Sequence, residues 1–279
     1  MRVLLLHSLL ACLLLPRSSL ADEEPDVLVE QATKALNANQ PEKALPLLDR
    51  ALKAAPKSTR IWFLRAAAHD MLGEPRKALD DLNELLRLDP NAARAINERG
   101  GIHFKLGNIK ESVADFDQYL KMRPDGFNEH WRRGISLYYA RRFDDGRKQF
   151  EGYEKVSTTD VENAVWHFLC VAGKDGVDKA RASLLRIGRD RRVPMMQVYD
   201  LFAGKLKPAD VLKAVEEGKP DEAERNTRLF YAHLYLGLYA EVSGDSKAAL
   251  EHIETAVKHR VRHYMWDVAR VHRDLLTKK

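Results

Sequence analysis

The sequence predicts an all-α fold in which paired antiparallel helices stack into a superhelix closed by a C-terminal capping helix. Three observations carry that prediction. Between Pro56 and Pro124 one pattern occurs twice at a spacing of 34 residues. With position 1 at Thr59, the first copy has Trp62 at 4, Ala66 at 8, His69 at 11, Gly73 at 15, Ala78 at 20, Leu82 at 24, Leu85 at 27 and Pro90 at 32; the second has Ile96, Gly100, His103, Gly107, Ser112, Phe116, Tyr119 and Pro124 there. Small residues at 8 and 20 mark where two helices touch, because backbones approach closely only where a side chain is nearly absent, and the bulky residue at 24 fills the space beside them. Glycine at 15 ends the first helix, and proline at 32 stops the second because it has no amide hydrogen to give.

This period and this placing of residues resemble the tetratricopeptide repeat, TPR. The resemblance implies a right-handed superhelix of helix-turn-helix units whose first helices line the concave face. One unit is too small to bury a core, so each needs stacked neighbours.

Taken in order, Met1 and Arg2 precede thirteen mostly apolar residues, Val3 to Leu15, and Ser19-Leu20-Ala21 offers a small-x-small cleavage site. Residues 1–21 therefore read as a secretory signal peptide, and the mature chain is expected to be exported, periplasmic or secreted. The apolar run is shorter than the ~20 residues that cross a bilayer, and no later stretch is long and apolar enough. Leu9-Leu10-Ala11-Cys12 loosely resembles a lipobox, which gives the alternative of a lipid anchor at Cys12. The apolar run continues past that cysteine, which favours cleavage after Ala21. Loss of Cys12 would leave Cys170 alone, without a partner for an intramolecular disulfide.

Residues 22–193 hold five TPR-like repeats. The first carries Ala32, Ala44, Leu48, Ala51 and Pro56 in register, with Pro46 inside its second helix. The fourth keeps Gly134, Gly146, Phe150 and Tyr153, and the fifth keeps Ala180, Leu184 and Ile187 but puts Phe168 at position 8, which should splay its helices or alter their packing. Residues 194–229 break the period and read as two short helices bounded by Pro194, Gly204, Pro208 and Gly218. Residues 230–279 hold a final repeat counted from Phe230 and a capping helix from Tyr264 to Leu276, with Met265, Val268, Val271 or His272 and Leu275 on one face.

Pro194 to Val215, with Tyr199-Asp200-Leu201-Phe202-Ala203-Gly204, followed by Phe230-Tyr231, Leu236-Gly237, Gly244-Asp245 and Ala248 to Val257, resemble the C-terminal half of the NlpI family of bacterial TPR lipoproteins. That resemblance implies a non-enzymatic adaptor of the cell envelope, able to dimerise and to bring cell-wall enzymes together. The lipobox departs from the family's pattern, which leaves the anchor in doubt.

Chemistry is sparse. The chain has no Walker loop, dinucleotide glycine fingerprint, His-Glu-x-x-His or Cys-x-x-Cys, so no catalytic residue, metal ligand or cofactor is expected. Removing residues 1–21 takes Arg2 and Arg17 and no acidic residue, lowering the formal net charge from +5 to +3. The basic clusters Arg189-Asp190-Arg191-Arg192 and Lys258 to Arg262 fall at predicted loops with little to stack bases, so no nucleic-acid partner is expected. His69 and His103 at position 11 read as hydrogen-bonded packing residues.

The candidate site is the concave face. Positions 2, 5, 9, 12 and 13 of the first helices place Arg60, Phe63 and Met71 there from repeat two, Arg94, Asn97, Phe104 and Lys105 from repeat three, and Trp131, Ile135, Tyr138 and Tyr139 from repeat four. An aromatic stripe with a basic edge suits a protein or peptide partner, the aromatics as anchors and the cations to orient it. A second arrangement has some of these aromatics packed on the neighbouring repeat or the N-terminal segment, and a homodimer through the same face is a third. The expected function is an exported scaffold or adaptor; the alternative is a helical-solenoid glycan or cell-wall hydrolase, for which no paired-carboxylate signature is spelled.

Overall fold

The structure, a computed structural model, describes residues 24–278. The expected signal peptide and Cys12 lie outside the described residues. Those residues form fifteen α-helices and no strand: α1 (Pro25–Asn37), α2 (Pro41–Ala54), α3 (Thr59–Met71), α4 (Pro75–Leu88), α5 (Ala93–Lys105), α6 (Ile109–Met122), α7 (Trp131–Tyr139), α8 (Phe143–Tyr153), α9 (Val161–Asp175), α10 (Val177–Ala182), α11 (Met195–Phe202), α12 (Pro208–Ala214), α13 (Glu222–Val242), α14 (Ser246–Lys258) and α15 (Tyr264–Leu276). Neighbours in sequence are neighbours in space, the arrangement of a solenoid.

Local chemistry explains the boundaries. Pro25, Pro41 and Pro75 open α1, α2 and α4, at a position whose amide has no helical partner to lose. The turn between paired helices needs one left-handed residue, and position 15 supplies it in five repeats: Asn39 (φ 56°), Gly73 (74°), Gly107 (77°), Arg141 (58°) and Gly244 (87°). The same turn thus forms even where glycine is absent. Pro46 stands inside α2 without ending it.

The close packing expected around positions 8 and 20, with the bulky residue at 24 beside them, is present. A Cβ on Gly100 would lie 2.8 Å from the Phe116 ring, on Gly134 2.5 Å from Phe150, and on Gly237 2.6 Å from Ile253. Leucine at position 100 is therefore expected to force α5 from α6 at a cost of about 1–3 kcal/mol from overpacking. Urea unfolding checks this, and a variant as stable as the parent would remove the register.

A polar ladder runs through the same repeats. Arg65, Arg99 and Arg133 each occupy position 7. Each binds the second helix of its own repeat and that of the repeat before: Arg65 donates to Asp81 (2.6 Å) and Asp49 (2.9 Å), Arg99 to Asp115 (2.7 Å) and Asn83 (3.1 Å), Arg133 to Gln149 (3.0 Å) and Asp117 (2.7 Å). Four second helices in a row, α2, α4, α6 and α8, are stitched by one planar fork per step.

In the fifth repeat, Phe168 is fully buried and receives Phe202 of α11 edge-on at 5.1 Å. The second helix α10 stops at Ala182, and α11 packs on α9. The final repeat's first helix begins at Glu222 rather than at Phe230. Asp221 accepts from the Glu224 amide at 2.8 Å and caps it, and Arg228 takes up the Val215 and Glu217 carbonyls at 3.0 and 2.6 Å, tying α13 to the short helices before it.

The helix α15 does more than cap. Met265, Val268, Ala269, Val271 and His272 are buried, while Leu275 is exposed. Its polar edge reaches back across the superhelix to α5: Arg270 donates to the Lys105 carbonyl, and Asp267 lies 3.6 Å from the Lys105 ammonium. The C-terminal helix thus lies in the concave groove.

Candidate functional site

The sequence-selected residues fall into three groups. The first is open. Arg60 and Arg94 are exposed, Met71 is 42% exposed, and the Arg94 guanidinium sits over the half-buried Phe63 ring at 4.6 Å. This patch on α3 and α5 is aromatic with a basic edge.

The second group is covered by α15. Phe104 is fully buried between Tyr139 and Tyr264, each with ring centroid 5.5 Å away. The Tyr139 hydroxyl meets His272 Nδ1 at 3.1 Å. Lys105 is held by Asp70 at 2.6 Å as well as by Asp267. Tyr138 is packed among Tyr139, Phe143 and Trp166. Phe104, Ile135 and Tyr138 are interior residues rather than part of an open stripe, because apolar surface on the first helices is taken up by α15 and by the α8–α9 core.

The third group surrounds Trp131, which stacks on His263 at 6.4 Å and meets Tyr264 edge-on at 5.4 Å. A cavity opens on each side of it. One, of about 200 Å³, is lined by Asn97, Tyr119, Glu129, His130 and Arg132. The other, of about 180 Å³, is lined by Ile135, Tyr153, Asp160, Glu162, Asn163 and Trp166. The structure therefore brings Asn97 and Trp131 together at one cavity and Trp131 and Ile135 at the other, with Tyr138 and Tyr139 behind the second cavity against Trp166.

The first cavity holds two buried polar atoms without partners, Asn97 Oδ1 and His130 Nε2. The His130 tautomer follows from its cap role. Nδ1 accepts from the Arg133 amide at 3.3 Å, and burial, with Arg132 nearby, pushes the ring's pKa down to about 3, so the neutral ring carries its proton on Nε2. The wall of the cavity thus contains one unpaired acceptor and one unpaired donor, both shut off from solvent.

Sequence reasoning missed Tyr153, Asp160, Glu162, Asn163 and Trp166. They come from the end of α8 and the start of α9; counted from Val161, Glu162 stands at concave position 2, and the other four stand off the concave positions. The loop cluster Arg189 to Arg192 was legible, but its role was not: Arg192 binds Glu162, Asp160 and Asp190 at 2.6, 2.8 and 2.6 Å. Cys170 is fully buried against Gly146, and burial pushes its thiol up, away from nucleophile character.

Models of the tetratricopeptide repeat match residues 29–92 and 76–128. Residues 29–128 therefore carry tetratricopeptide repeats. Among solved structures, a TPR protein from Parabacteroides merdae is similar over 91% of this chain and 98% of its own, at 13% identity and TM-score 0.58. MamA from Desulfovibrio magneticus RS-1 is similar over 58% of this chain and 92% of its own (15%, 0.54). The C-terminal part of a TPR protein from Cytophaga hutchinsonii is similar over 86% and 98% (15%, 0.52). At such identities the likeness is one of fold. No curated protein matches the sequence. No described helix is long and apolar enough to cross a membrane.

Histidines give the TPR stack a pH dependence. Burial lowers His103, His130, His167, His233, His252 and His259, with neighbouring His252 and His259 adding to the effect at His233, which falls to about 4. A histidine depressed in the folded state is neutral there while the unfolded chain takes up protons near its ordinary pKa. Its stabilisation is therefore complete above pH ~6.5 and is lost as pH falls towards the folded value. His130 alone is expected to cost about 2 kcal/mol at pH 5. Urea midpoints at pH 7.5 and 5 check this, and His130→Gln should shrink the difference.

Proposed function

We propose that this chain is an exported, non-catalytic adaptor that binds an extended segment of a partner protein on its concave face, beside Trp131. The observation that carries the reading is the cavity with one unpaired acceptor, Asn97 Oδ1, and one unpaired donor, His130 Nε2. A peptide bond offers one N–H and one C=O, the complement of that pair, and unpaired buried polar groups cost about 1–3 kcal/mol each until satisfied. The open patch of Arg60, Phe63, Met71 and Arg94 would receive side chains of the same segment. Export rests on the character of residues 1–21, and an envelope setting on the resemblance to the NlpI family.

The hydrolase reading has one observation to answer: Asp160 and Glu162 share a cavity with two tryptophans. Arg192 binds both carboxylates, and Glu162 also accepts from the Tyr235 hydroxyl at 2.6 Å. Both carboxylates are thus engaged as acceptors of one guanidinium, whereas glycoside cleavage uses a pair facing each other across the scissile bond. The arrangement favours binding over hydrolysis.

Peptides selected on residues 22–279 from a random display library test the adaptor. Binding should fall at least tenfold in Asn97→Ala at unchanged helicity; equal binding by the variant sinks the reading. Sedimentation of the parent alone separates a homodimer through this face from a partner site. Export is checked by fusing residues 1–30 to a reporter, which should be processed after Ala21; an acylated Cys12 at the mature terminus would replace that form of export by an anchored one.

A further inference from the structure

The cavity on the other side of Trp131 has a different chemistry. Its volume of about 180 Å³ is well under the roughly 300 Å³ at which pockets for drug-sized ligands begin, so it takes a small group or a single side chain. Trp131, Tyr153 and Trp166 give it aromatic walls, and Asp160 and Glu162 give it charge. The charge is unbalanced: one guanidinium, that of Arg192, serves the carboxylates of Asp160, Glu162 and Asp190. An excess of negative charge beside aromatic faces attracts a cation, through the carboxylates and through the ring quadrupoles together. A built acceptor is also present. Asn163 is 5% exposed, its amide nitrogen is spent on the Phe150 carbonyl at 3.0 Å, and its Oδ1 has no partner. The indole N–H of Trp166, 2% exposed, lacks an acceptor too.

We infer that this cavity binds an organic cation, a guanidinium or alkylammonium group, and that an arginine side chain of a bound peptide is the occupant it fits best. The guanidinium donates in-plane hydrogen bonds to the carboxylate oxygens while its faces lie against the rings, and a small turn of the Asn163 side chain brings Oδ1 within its reach. A peptide-borne arginine brings carbonyl oxygens as well, which suit the Trp166 N–H; a free amine does not. An anion is repelled by the carboxylates. A neutral ligand would leave their excess charge uncompensated.

This deepens the adaptor reading and rests on it only for the source of the cation. The test is titration calorimetry of residues 22–279 with N-acetyl-Ala-Arg-Ala-amide, with its citrulline counterpart, which keeps the shape and lacks the charge, and with agmatine. The arginine peptide is expected to bind at least tenfold tighter than the citrulline peptide, and less tightly as salt rises. Glu162→Gln, which keeps an acceptor for the Tyr235 hydroxyl, should lose tenfold. Agmatine weaker than the arginine peptide assigns the source to a peptide; agmatine equally tight assigns it to a free cation, and both carry the site. Citrulline binding as well as arginine, or no binding of either cation at millimolar concentration, overturns it. Should Glu162→Gln fail to fold, the arginine-to-citrulline ratio on the parent chain decides alone. Agmatine bound by a chain that selects no peptide would keep the cation site and remove the adaptor.

Discussion

Arg99→Ala is expected to destabilise the protein by about 3–5 kcal/mol, the range for breaking a buried ion pair from one side. The Asp115 side chain is 7% exposed and accepts from Arg99 Nε at 2.8 Å and Nη2 at 2.7 Å. Without that fork the carboxylate stays out of water with only His103 Nε2, 3.9 Å away, as a cation-capable neighbour among its ion pairs. The bond to Asn83 is lost with it, so the step between α4 and α6 comes unstitched. Lys at 99 should not rescue, since an ammonium cannot make the paired contact. The control is Lys174→Ala. Its partner Asp144 and Lys174 itself are 56% and 48% exposed, and such a solvent-screened pair adds little to stability. Equal urea midpoints for the two variants would mean that the ladder is decoration.

Phe104→Ala is expected to cost a similar amount, about 3–5 kcal/mol for emptying a packed phenylalanine site, and to release α15. The ring is stacked on Tyr264 and edge-on to Tyr139, and these contacts are the apolar part of the link between α5 and the C-terminal helix. Hydrogen exchange should therefore show α15 losing protection while α1 and α2, in a separate apolar cluster, keep theirs. Freed of α15, Trp131 loses Tyr264 and His263 from its faces, and the walls of both cavities move. Uniform loss of protection along the chain would show that α15 and the stack fold as one unit. The same contacts change what a Trp131→Ala variant reports: with α15 against the ring, lost stability accompanies lost binding, so binding must be read per folded molecule.

How far the site could be read from residues alone differs by position. Arg60, Phe63, Met71 and Arg94 lie on the open patch because the 34-residue register places them, and among the described residues Arg60, Met71 and Arg94 stay exposed and Phe63 half-buried. Asn97 and Trp131 were legible for the same reason, but not the cavities on either side. Those depend on Glu129, Asp160, Asn163 and Trp166, which lie in turns and in the atypical fifth repeat, where periodicity gives no orientation. Phe104 and Tyr138 obey the concave pattern and are buried nonetheless.

By itself the sequence determined the all-α class, the repeat length, the helix end at position 15, the close packing around positions 8, 20 and 24, the short helix pair and the closing helix. All of these arise from contacts within one repeat or between adjacent ones, and such contacts write a period into the chain. Tertiary structure alone decided where α15 comes to rest. Its meeting with α5 joins Arg270 to Lys105, 165 residues apart, and no local pattern records a contact at that distance. The same holds for the charge on the cavity, since Arg192 reaches Asp160 and Glu162 across a loop whose basic residues look, in one dimension, like a solvated run. The repeat is specified by neighbours, and the site is made where the solenoid folds back on itself.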